Sequence, residues 1–256
     1  MNQALMTETA GIALFLGMTL VSILCYRLGR RRFKAEDSHT EVSGTVVGAV
    51  FALMGLLIAF TFSGAYSRFD ARRQLIVEEV NAIGTAYLRL DLLPASSQPP
   101  LREKFRAYAV SRASMYEKLT DVAAALAEHA KANELQKEIW AGAVAASADP
   151  QYQSARMLLL PALNDMIDIV TTRGVAIITH PPLLIWAMLF TISLAGAGLT
   201  GYRAGISGHP GYLYHVILAV VTSSILYVTL DIEYPRYGFV RLDSLNQVLV
   251  DLAKTM

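Results

Sequence analysis

Residues 56–84 read LLIAFTFSGAYSRFDARRQLIVEEVNAIG. The stretch begins as an apolar membrane segment, gains Arg68, Arg72 and Arg73, and contains no proline. After Tyr66 the apolar positions Phe69, Ile76, Val80, Ile83, Tyr87 and Leu90 follow at steps of three, four or seven, which lays a seam along one side of a helix. Toward the N-terminus Ala52, Leu56 and Phe60 step by four and form a line of their own, with Ser63 one short turn further on. The helix therefore does not stop at the membrane surface. If residues 44–93 are one rod, it is about 75 Å long at 1.5 Å per residue, more than twice the roughly 30 Å of bilayer hydrocarbon. Half of it stands in water. Its seam must then be covered, either by the helices that follow or by copies of the chain around a symmetry axis.

The rest of the 256-residue chain agrees with a mixed membrane and aqueous protein: 54% of residues are hydrophobic and 17% charged. With 22 basic and 21 acidic side chains there is no global field to attract nucleic acid. Four segments carry no Asp, Glu, Lys or Arg for long enough to cross hydrocarbon: Thr9 to Tyr26, Val42 to Tyr66, Pro182 to Tyr202 and Tyr212 to Leu230. The first is a retained span rather than a cleaved signal, because residues 1–8 hold Glu8 and no basic residue, and no Ala-x-Ala pattern follows. Trp186, Tyr202, Tyr212 and Tyr234 fall near span ends, where amphipathic rings favour the headgroup level. Cys25 is the only cysteine, and the five histidines lack metal-ligand spacing, so neither a disulfide, a metal nor a cofactor is expected.

Between the second and third spans the chain reads as helix almost throughout. Pro94 stops one helix, SSQPP at 96–100 starts the next with serine caps and proline in its first turn, and SADP at 147–150 separates a third from a fourth. His180-Pro181-Pro182 marks the entry to the third span. No stretch alternates as a strand. The expected fold is all-α: a polytopic membrane protein with four transmembrane helices and a helical extramembrane insert between the second and third. Its parts are a first transmembrane hairpin (1–66), the insert continuous with the second span (67–180), a second hairpin (181–232) and a C-terminal amphipathic helix (233–256).

The run FTFSGAYSRFDARRQLIVEEVNAIGTAYLRLDLLP resembles the second-helix signature of bestrophins, an apolar helix leading into a Tyr-x-Arg-aromatic group and a further Arg. Tyr66, Arg68, Phe69 and Arg72 or Arg73 hold those places. After the last span, IEYPRYGFVRLDSLNQVLVDLA resembles the bestrophin Ile-Glu-x-Pro-Phe-Gly turn: Glu233, Pro235 and Gly238 match, with one extra residue before the glycine. The chain is identified as a member of the bestrophin-like family of bacterial membrane proteins. The resemblance implies a homo-oligomeric, pentameric ion channel in the bacterial inner membrane, with inorganic ions and membrane lipid as its partners. The second helix of each subunit would line the pore, Ala52, Leu56 and Phe60 would form its apolar constriction, and Arg68, Arg72 and Arg73 would flank a mouth and favour anions. One departure stands out. The acidic run that follows the turn in calcium-gated animal bestrophins is missing, since Asp231, Glu233, Asp243 and Asp251 are scattered, so no calcium clasp is expected.

Orientation divides the arguments. Arg27, Arg30, Arg31, Arg32 and Lys34 lie in the short connection between spans one and two, which the positive-inside rule places in the cytoplasm, whereas the resemblance implies the reverse. Short loops bias topology most and long domains translocate largely regardless of charge, so a cytoplasmic basic connection is the expectation. No phosphate loop, nucleophile elbow or Cys/His arrangement is present, and Glu78 and Glu79 are neighbours about 100° apart on a helix, so they read as solvated or arginine-paired groups and not as a catalytic pair. The chain is thus not expected to be an enzyme. Beside the channel stands one other reading, a non-conducting membrane scaffold or envelope sensor whose helical insert binds a protein partner.

Overall fold

The computed structural model describes residues 3–35, 44–118, 121–209, 211–235, 239–240 and 242–256. Among them the elements are α-helices and two short 3-10 turns, with no strand. In chain order they are α1 (Gln3–Ala35), α2 (Gly44–Leu88), α3 (Gln98–Glu117), α4 (Val122–Ala146), α5 (Gln153–Ile178), α6 (Leu183–Ser207), α7 (Tyr212–Glu233) and α8 (Asp243–Thr255). Four helical stretches are long and apolar enough to cross a membrane. The second of them is α2, which runs through the opening stretch unbroken for 45 residues, about 68 Å at 1.5 Å per residue. The rod expected over 44–93 ends slightly earlier, tightening to a 3-10 turn at Arg89–Leu92 ahead of Pro94.

The chain divides into two compact units: Met1–Phe69 with His180–Val240, and Asp70–Thr179 with Arg241–Met256. In the first, α1 lies along α6 and α7. Ala197, Gly201 and Gly205 follow at steps of four on α6, and a Cβ on Gly201 or Gly205 would run into the α1 carbonyls of Ser22 or Tyr26. Gly29 meets Tyr202 in the same way from the other side. With lipid as solvent there is little hydrophobic drive to join helices, so close backbone approach over small residues supplies the packing. Leu14, Met18, Met54, Ile58, Trp186, Leu189 and Leu226 fill the core beside it. Outward-facing leucines such as Leu16, Leu20 and Leu24 suit an acyl environment.

In the second unit the distal half of α2, α3, α4, α5 and α8 enclose a core of Ile83, Leu90, Phe105, Tyr108, Ile139, Leu159, Leu163, Met166 and Leu249. Asp121 caps α4, its side chain accepting from the Ala124 N–H at 3.1 Å. The serine cap expected at SSQPP is not made: Ser97 sits at the cap position without a side-chain bond. A capping hydroxyl bonds the second or third N–H of the helix, and Pro99 and Pro100 have none to offer there. The seam of α2 buries Ile76, Ile83 and Leu90 as expected, with Val80 and Tyr87 packed against the same core. It also buries Arg72 and Glu79.

Candidate functional site

On a helix a shift of two residues turns a side chain through about 200°, so α2 has two opposed faces in its apolar half. Met54, Ile58 and Ala65 point into the first unit's core. Ala52, Leu56, Phe60 and Ser63 lie on the other side and are exposed, Leu56 by 52% and Phe60 by 67%. Tyr66 is exposed as well, whereas Phe69 is half-buried. Large apolar side chains turned away from their own subunit in a membrane helix are covered by something outside this chain.

The arginines of the signature part ways. Arg68 Nε donates to both carboxylate oxygens of Glu233, at 3.2 and 2.9 Å, and its Nη2 donates to Oε2 at 2.6 Å. His180 Nδ1 lies 2.9 Å from Glu233 Oε1, and the His180 ring stacks on Tyr234 with centroids 4.4 Å apart. The two sequence patches that carry the resemblance thus meet through a fully buried carboxylate at the end of α7. Close behind, Asp231 Oδ2 accepts the backbone N–H groups of Phe239 and Val240, each at 3.0 Å. Pro235 is buried; Gly238 lies outside the described residues. Glu233→Gln keeps the shape but removes the counter-charge that Arg68 grips, and breaking a buried pair in this way costs about 3–5 kcal/mol. The expected outcome is a lower melting temperature of the detergent-solubilised protein, restored in part by the double change Arg68→Met with Glu233→Gln.

Arg72 turns the opposite way from the exposed stripe. It is buried, and its Nε and Nη2 donate to the Ala176 and Thr179 carbonyls at 2.9 and 3.0 Å, neutralising the negative end of α5. Arg73 remains at the surface, 3.6 Å from Asp70 one turn before it.

A second wholly buried carboxylate lies in the second unit. Glu79 is wholly buried; its Oε1 accepts from Arg112 Nε at 2.6 Å and its Oε2 from Arg173 Nη1. The Tyr116 hydroxyl takes a bond from Arg112 at 2.5 Å and reaches Glu79 Oε2 at 3.3 Å, while the Arg173 guanidinium stacks 3.8 Å over its ring. Burial by itself would raise the Glu79 carboxyl, but the charges and hydrogen bonds of Arg112 and Arg173 outweigh it and hold the group below its ordinary range. Burial first, and then the Glu79 charge, push the Tyr116 phenol up to about 12. Glu78, by contrast, is exposed. Among the described residues no three His, Cys, Asp or Glu are placed to hold a metal ion.

The family model of the Bestrophin-like domain matches residues 13–245. Among solved structures, the chain is similar to a point variant of a bacterial bestrophin homologue from Klebsiella pneumoniae, with a TM-score of 0.70 and 17% identity over 95% of this chain and 98% of that one. It is equally similar to a structure of a Klebsiella pneumoniae homologue phased on zinc, with a TM-score of 0.69 and 16% identity over 95% and 98%. At such identities the likeness is one of fold. Comparison with curated protein sequences gives no match.

Proposed function

Since the chain belongs to the bestrophin-like family, we propose that it is a homo-oligomeric ion channel of the bacterial inner membrane, a pentamer whose α2 helices line the axial pore. The observation that carries this reading is the exposed line Ala52, Leu56 and Phe60, opposite the face that α2 buries in its own subunit. Gathered around an axis, such side chains form an apolar ring that conducts when it widens and wets. Ser63 and Tyr66 follow the ring toward the mouth. Purified protein in planar bilayers is expected to pass ions, and Phe60→Ala is expected to raise unitary conductance. Oligomers that stay electrically silent across pH, calcium and voltage would overturn the proposal.

Of the three arginines from which an anion preference is anticipated, Arg68 is bound to Glu233, Arg72 to the end of α5, and Arg73 lies 3.6 Å from Asp70.

One observation favours the second reading, a non-conducting scaffold or sensor. Val122 and Leu126, one turn apart on α4 in the extramembrane unit, are 67% and 62% exposed, an apolar face fit for a protein partner. A partner lost on Leu126→Glu, together with absent conductance, would support it.

A further inference from the structure

Beyond Phe60 the α2 helix keeps its period, and what it carries on the outward line changes from apolar to acidic. Asp70, Gln74 and Glu78 stand about 18 residues past Ala52, Leu56 and Phe60 respectively, which is about five full turns at 3.6 residues per turn. The polar triplet therefore repeats the angular positions of the apolar one. Gln74 and Glu78 are exposed, and the Asp70 carboxylate is 40% exposed.

The basic side chains of the same segment are elsewhere. Arg68 sits about 160° around the helix from Ala52 and Arg72 about 200°, at 100° per residue. Both are engaged, Arg68 by the buried Glu233 and Arg72 by α5 carbonyls. Arg73 lies about 60° to one side of Asp70 and approaches it at 3.6 Å as an exposed pair, an arrangement that cancels little charge in water. Gln74 donates to Asp70 Oδ2 at 3.0 Å, which steadies that carboxylate without neutralising it. Glu78 makes no ion pair among the described residues.

Resting on the channel reading above, we infer that Asp70 and Glu78 are specificity-determining residues: two successive rings of carboxylate beyond the apolar constriction, which enrich cations over anions at that mouth. A vestibule lined by one sign of charge concentrates counter-ions. Repetition by symmetry multiplies each carboxylate, whereas the arginine charges fall on the flanks or inside the subunit.

The test is the reversal potential of the full-length protein in planar bilayers under a potassium chloride gradient. The wild type is expected to favour potassium over chloride. Asp70→Asn with Glu78→Gln is expected to lower the permeability ratio by about tenfold, an effect that raised ionic strength screens. Arg73→Gln is expected to move the ratio the other way. These positions are exposed, so the variants should keep the elution volume of the wild-type oligomer in detergent. Currents that favour chloride, or a ratio unmoved by the double variant, would overturn this inference and leave the channel standing. Absence of any current in the wild type would overturn the channel reading and this inference with it.

Discussion

Glu79→Ala is expected to unfold the second unit at a markedly lower temperature than the wild type, at a cost of about 3–5 kcal/mol. The carboxylate is wholly buried between Arg112 and Arg173, whose side chains are 1% and 6% exposed. Removing it leaves two guanidiniums facing one another in a low-dielectric interior, with Tyr116 able to satisfy only part of their hydrogen-bonding capacity. Limited proteolysis of the extramembrane unit and thermal melting in detergent would measure the loss. Pairing Glu79→Leu with Arg112→Met and Arg173→Leu should recover much of the stability, because a well-packed apolar triad costs no desolvation. Acid provides an independent readout. The folded Glu79 carboxyl titrates below its unfolded counterpart, so its stabilisation is present above about pH 4.3, the ordinary value for glutamate, and drains away as pH falls through the depressed folded value. Glu79→Gln should flatten that acid limb of stability while leaving the neutral-to-alkaline side parallel to wild type. A steep limb preserved in the glutamine variant would show that other carboxylates govern acid unfolding.

Gly201→Val is expected to abolish accumulation of monodisperse protein. A Cβ at this position would lie 2.9 Å from Ser22 Cα and run into the Ser22 carbonyl, which is backbone and cannot swing aside as a side-chain tip can. Overpacking of this kind costs typically about 1–3 kcal/mol, and more where two helix backbones must separate along their length. Because α1, α6 and α7 form the frame on which the first unit is built, the separation reaches beyond one contact. Gly201→Ala should show the same defect in weaker form. Gly174→Ala serves as the matched control: nothing lies within 4 Å of its added carbon, and alanine is the better helix former by about 1 kcal/mol. Size-exclusion profiles of the three variants would decide the matter, and normal elution of Gly201→Val would remove close α1–α6 approach as a determinant of the fold.

The elements of the fold were legible in the sequence because their signals are local. Uncharged runs of spanning length announce α1, α6 and α7, and the seam from Ile76 to Leu90 announces that α2 continues past Tyr66. Proline placement located the starts of α3 and α6. The small-residue ladder at Ala197, Gly201 and Gly205 was not read from the sequence, because its spacing becomes a packing surface only when a partner helix is in view. The line Ala52, Leu56 and Phe60 was legible in its four-residue spacing, the resemblance gave it the role of a constriction, and the structure leaves all three exposed.

By itself, then, the sequence determined the helical content, the four apolar crossings and the persistence of α2, all of which follow from composition and period along a single stretch of chain. Only the tertiary structure decided which charges meet. Arg68 and Glu233 are 165 residues apart, and Glu79 finds its arginines 33 and 94 residues away. Periodicity cannot report such pairs, since the energy of an ion pair depends on distance and burial, and both are set by how helices dock. For the same reason the sequence could not show that Arg72 donates to the last carbonyls of α5.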